Sequence, residues 1–143
     1  MNYVIAVIVM SKVNINIPNY IYHALALLWL YSGVVPMVFN HSSSLDLLHG
    51  MGFYGVIADV LFIGASGIDV LFALLIMTKY RTHYLLWLAQ IIIIIGYNAL
   101  ILTLLPKSLL IEQLLHPFGS MIKTLPILAV VIFLYEYHKP KIS

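Results

Sequence analysis

The chain has 143 residues, 63% of them apolar and only 8% Asp, Glu, Lys or Arg, against about 25% charged in an average soluble domain. Seven Lys+Arg and five Asp+Glu, net +2, cannot keep a water-facing surface of this size dispersed, so a soluble globular fold is excluded and lipid is the solvent for most side chains. Sparse, unclustered basic residues exclude a nucleic-acid surface, and the absence of cysteine removes disulfides, thiolate metal sites and iron–sulfur ligation.

Residues 1–18 carry an apolar patch from Val4 to Met10 with no preceding basic residue and no small-residue cleavage pattern. They read as a retained N-terminal extension rather than a secretory signal. About 20 apolar helical residues cross a bilayer, and four such runs follow, at about 19–39, 54–78, 84–105 and 118–135. Pro18 suits the start of the first, and Pro106 stops the third. The 40–53 stretch reads as a polar loop with a triple serine at 42–44. Residues 106–116 alternate Lys107, Ser108, Glu112 and Gln113 with four leucines, as a helix lying along the membrane surface does. The five isoleucines at 91–95 favour a strand locally, but 22 residues is too long for one and barrel strands alternate in polarity.

The expectation is therefore an all-α, integral membrane four-helix bundle over residues 19–137, with 138–143 a basic tail. Lys12, Lys79, Arg81, Lys139 and Lys141 fall on one side and Lys107 and Lys123 on the other. The more basic side is cytoplasmic, so both termini are expected there, in a bacterial or archaeal cytoplasmic membrane. Tyr20, Tyr22, Tyr80, Tyr84, Trp87, Tyr135 and Tyr137 cluster near the same span ends, as an interfacial aromatic belt does.

An ionisable group inside lipid costs about 2.5–3.5 kcal/mol near the centre and needs a partner or a purpose. Asp59 and Lys123 both stand about five residues in from the outer ends of their spans, and an ion pair between them is expected. Asp69 and Gln90 reach similar depth from the inner ends, and a contact between them is expected too. At 100° per residue Asp59, Ser66 and Asp69 share one side of the second span with Gly55. Gln90 and Tyr97 align in the third, with Asn98 adjacent and Gly96 leaving room for a neighbour. Tyr31, Ser32 and Gly33 fall at the middle of the first. A polar core of Tyr31, Ser32, Ser66, Asp69, Gln90, Tyr97 and Asn98 follows.

Such a core either fixes helix register by hydrogen bonds, each worth about 0.6 kcal/mol, or forms a ligand or proton site around Asp69. The histidines are weak metal candidates: His41, His49 and His116 lie near Asp46 and Glu112, with no HxH or HxxxH pair. His23 and His83 sit at span ends, a poor place for a haem slot, so haem and copper are not expected and no cofactor is assigned. No GxSxG, GxGxxG or HExxH is present, which argues against a free-standing enzyme.

Trp29-Leu30-Tyr31-Ser32-Gly33-Val34-Val35-Pro36, Gly67-Ile68-Asp69-Val70-Leu71, Gln90, and His116-Pro117-Phe118-Gly119-Ser120-Met121-Ile122-Lys123-Thr124-Leu125-Pro126 together resemble the DoxX-like family of small four-helix membrane proteins. Here Asp69 stands where the family more often has Glu, and Thr124 where Asn is common. The resemblance covers about residues 19–137. It implies a role beside oxidoreductases, since the namesake is a small membrane subunit associated with quinone-linked oxidation of sulfur compounds. Quinone or lipid is then the expected ligand, and oxidoreductase subunits or further copies of the chain are the expected partners. A purely structural or assembly subunit, and an oligomeric proton-coupled transporter using Asp69, are the alternatives.

Overall fold

A computed structural model describes residues 16–115 and 120–140, excepting the side chains of 112–115 and 120–123. All regular structure among the described residues is helical: α1 (Asn19–Val38), α2 (His41–Gly50), α3 (Val56–Ile76), a 3-10 turn (Lys79–Thr82), α4 (Tyr84–Leu104), α5 (Lys107–Leu115) and α6 (Ser120–His138). α1, α3 and α4 are each long and apolar enough to cross a membrane. Within α6, Thr124–His138 is a shorter apolar helix, counted over the described residues only.

Local chemistry sets the boundaries. Pro18 is extended (φ −62°, ψ 139°) and opens α1. Leu105, held extended by the proline that follows it, ends α4 at ψ 136°. The 40–53 stretch, expected as a loop, instead forms α2. The Ser44 hydroxyl donates to the Asn40 carbonyl at 2.9 Å. The helix closes in a Schellman motif: Gly52 takes φ +93°, its N–H donates to His49 O at 3.0 Å, and Phe53 N–H donates to Leu48 O at 3.0 Å. Only glycine adopts that φ without strain. The reading as loop weighed the serines above the Leu45, Leu47 and Leu48 spacing.

The helices assemble as two close pairs, α1 with α3 and α4 with α6, and α3 touches α4 only sparingly. Gly33 sets the first pair: a Cβ there would stand 2.7 Å from Ser66 O and 2.8 Å from Val70 Cγ2, so the two backbones meet at closest approach because residue 33 has no side chain. Gly96, expected to admit a neighbour, has nothing within 4 Å of an added Cβ. Gly55, expected on the polar face of α3, instead precedes that helix with φ +59°.

The core gathers at one end, nearest the 3-10 turn, here called the turn end. Tyr22, Leu25, Trp29, Phe72, Ile76, Leu86, Trp87, Val131 and Leu134 are buried together there. Trp87, expected in a lipid-facing belt, is 0% exposed, and its Nε1–H donates to Arg81 O at 2.9 Å. Tyr22 is likewise buried, with the Arg81 guanidinium 4.9 Å above its ring. Aromatic residues at this end therefore form an internal cluster, while Tyr20, Tyr80 and Tyr137 stay exposed. At the opposite end the described residues of α2, α3 and α4 enclose a cavity.

Candidate functional site: a polar seam and an apolar cavity

The buried polar side chains lie on the inner stripes of α1, α3 and α4. On α3 the buried positions Ala58, Phe62, Ser66, Asp69, Phe72, Ala73 and Ile76 step by three and four, one face of a helix. Ser66 and Asp69 therefore point inward at the level of Gly33. Ser32 is half-buried and its hydroxyl donates to Asp69 Oδ2. Asp69 Oδ1 is buried with no hydrogen-bond partner among the described residues.

Gln90 is fully buried and binds elsewhere than expected. Its Oε1 accepts from Trp29 Nε1 at 2.8 Å and its Nε2 donates to Leu86 O at 3.3 Å. The expected contact with Asp69 is replaced by Trp29, whose indole N–H comes from the buried stripe of α1 and needs an acceptor. Tyr31, placed in the polar core by depth alone, is 66% exposed. It stands about 200° around the helix from Trp29 at 100° per residue, on the side away from α3.

Tyr97 and Asn98 occupy the next level of α4. Asn98 Nδ2 donates to Ile94 O at 2.7 Å, and its Oδ1 accepts from Thr124 at 3.4 Å, tying α4 to α6. The Tyr97 hydroxyl is buried and without a hydrogen-bond partner among the described residues.

Above this level lies a cavity of about 560 Å³. Leu47, Leu48, Met51 and Phe53 line it from α2 and its closing turn, Leu61 and Ala65 from α3, Tyr97, Asn98, Leu100 and Ile101 from α4, and Thr124 from α6. The Schellman motif that ends α2 presents Leu48 and Phe53 to it together, the pair this motif usually brings into contact. Sequence reading placed Tyr97 and Asn98 by depth but missed this wall, which came from a segment taken as a connector; Gly52 after the leucine-rich run was the available signal.

The remaining expected residues fall outside this arrangement. Asp59 is exposed in the first turn of α3, where the helix macrodipole favours a carboxylate. Its expected partner Lys123 has a side chain outside the described residues, and His116, Pro117, Phe118 and Gly119 lie outside them altogether. His41 meets Phe62 edge-on, ring centroids 5.0 Å apart, and His49 stacks on Tyr54 at 5.4 Å. Of the pair weighed for haem, His23 borders a shallow groove between α1 and α3, while His83 precedes α4 and meets Tyr80.

At the turn end, His138 Nε2 and the Tyr22 hydroxyl are 3.1 Å apart, and the His138 ring stacks on Trp87 with planes 11° apart. This last residue of α6 lies beyond the span read at 118–135. Burial, and secondarily the Arg81 charge, push its pKa below the ordinary value.

Apolar helices of spanning length, closed around a buried seam of Ser, Asp and Gln, define a small membrane protein. The chain belongs to the DoxX-like family, whose model matches residues 26–132, from within α1 to within α6. Neither the curated proteins nor the solved structures compared with it give a match.

Proposed function

We propose that the protein is a four-span bundle of a bacterial or archaeal cytoplasmic membrane with both termini cytoplasmic, serving as a hydrophobic-ligand-binding accessory module of a membrane redox system. The ligand class is quinone-like: a lipid-soluble molecule with one polar end. The observation that carries this reading is the cavity of about 560 Å³ between the helix pairs, walled mainly by Leu, Met, Phe and Ile. That volume falls within the range of small-molecule pockets, about 300–1,000 Å³. In lipid, a bundle with no ligand to hold has no need of such a gap, because close packing is what draws helices together there. α6 supplies the fourth span, and the basic residues at the turn end supply the orientation. The redox setting rests on the resemblance alone, through the namesake's association with quinone-linked oxidation.

The test is purification from native membranes followed by mass spectrometry of the extracted lipids and quinones. A single quinone or lipid class is expected at near-stoichiometric amount with the native chain, and Ala65→Trp, which fills the cavity, is expected to lose it. Equal extracts from the two would support a purely structural or assembly subunit instead.

A further inference from the structure

Within that reading, on which this inference rests, we propose that the cavity takes its ligand tail-first: it holds the uncharged hydrocarbon portion, and the polar end stays outside the apolar volume. The alternative is a polar head reaching the ligand site that the sequence suggested around Asp69. The lining decides between them, because a buried polar head needs hydrogen-bonding groups free to receive it.

The cavity presents none among its described side chains. Of its eleven lining residues, eight are Leu, Met, Phe, Ala or Ile. Asn98 has its amide nitrogen on Ile94 O and its amide oxygen on Thr124. Thr124 thereby spends its own hydroxyl proton. Tyr97 lines the cavity, yet its hydroxyl oxygen has almost no accessible surface and so is not open to a ligand there. Gln90 has both ends of its amide engaged, on Trp29 and Leu86, and neither it nor Asp69 lines the cavity. A hydroxyl or carboxylate driven into this volume would lose its hydration and gain no partner among the described side chains, whereas a hydrocarbon chain would lose nothing. At about 30 Å³ for each water-sized group, the volume accommodates about 18 carbon-sized groups, the bulk of a long acyl chain or several isoprene units.

The experiment uses the purified full chain in phosphatidylcholine nanodiscs, labelled with a 16-carbon alcohol carrying a mid-chain diazirine, with labelled peptides located by mass spectrometry. The competitors are 1-hexadecanol, hexadecanoate and 1,16-hexadecanediol, compared at equal mole fraction in the bilayer. Tail-first binding predicts that the alcohol and the carboxylate compete within about threefold of each other, since their polar ends remain outside. The diol, which has no apolar end to offer, is expected to compete at least tenfold more weakly. A diol equal to the alcohol, or a carboxylate at least tenfold weaker than the alcohol, would overturn tail-first binding. Ala65→Trp, with Leu61→Trp as a second variant should the first fail to fold, is expected to abolish labelling of peptides from α2 and α4. If labelling persists in both, the cavity is not the site, and the functional reading falls with this one; if it is abolished while the diol competes fully, only the orientation falls.

Discussion

The turn end and the end beside α2 are built from the same apolar vocabulary but reach opposite packing. At the turn end Trp87, Ile76, Val131 and Leu134 are each 0% exposed, and the polar tips of the large aromatics are matched: Trp87 to Arg81 O, Tyr22 to His138 and Trp29 to Gln90. At the opposite end Leu47, Leu48, Met51 and Phe53 surround open volume, and none of them is fully buried. Side-chain size accounts for much of the difference. Three large aromatics fill the space between the helix pairs near the turn, whereas Ala65 and the leucines of α2 leave it unfilled. The lesson is that close packing and open volume are separated along the helix axes, so each can be perturbed with limited effect on the other.

The largest expected effect is at the packed end. Trp87→Ala removes a fully enclosed indole and should cost about 3–5 kcal/mol, read as a lowered thermal midpoint in detergent; a loss under about 1 kcal/mol would mean that the turn end is not the stabilising half. Next comes Gly33→Ala, whose new methyl would stand 2.7 Å from Ser66 O. Backbone cannot yield as a flexible side chain does, so α1 and α3 must separate, at about 1–3 kcal/mol. Gln90→Leu leaves the Trp29 N–H without its acceptor and should cost about 0.6–1.7 kcal/mol, from the average to the largest value found for interhelical hydrogen bonds in a membrane protein. At the end beside α2, Met51→Ala should cost about 1 kcal/mol or less, because a half-exposed side chain beside open volume surrenders few contacts. The ordering sharpens the comparison: Met51→Ala matching Trp87→Ala would erase it.

The smallest effect is a pH dependence confined to the turn end. Burial and Arg81 lower the His138 pKa from about 6.5, so the folded chain binds this proton less readily than the unfolded chain. The contribution of neutral His138 is complete above about pH 6.5 and is lost as the pH falls through the lower folded value. A thermal midpoint that declines from pH 7.5 toward pH 5, and does so less in His138→Gln, is the expected result. An equal decline in both chains would assign the effect to another group.

Much of the architecture was legible along the chain. Three long apolar helices, and a helix at Lys107–Leu115, begin and end within two or three residues of the stretches expected to be helical, because an apolar run of about twenty residues in lipid satisfies its backbone as a helix. The inward stripe of Ser66 and Asp69 was also readable, from spacing on a single helix. What was not readable is which polar group meets which. Depth counting gives a level along the membrane normal but no direction around a neighbouring helix, so Tyr31 was placed inside and Gln90 was paired with Asp69. α2 was missed because three serines and two histidines outweighed a leucine pattern whose purpose appears only once a cavity exists for it to wall.

The amino-acid sequence by itself determined the solvent, the helical class and the family, because composition and hydrophobic run length act locally and need no partner. The tertiary structure alone decided that Gly33 brings α1 against α3, that Trp29 claims Gln90, and that a cavity opens beside α2. Those outcomes depend on which side chains meet across helices distant in sequence, where volume and hydrogen bonding are settled jointly.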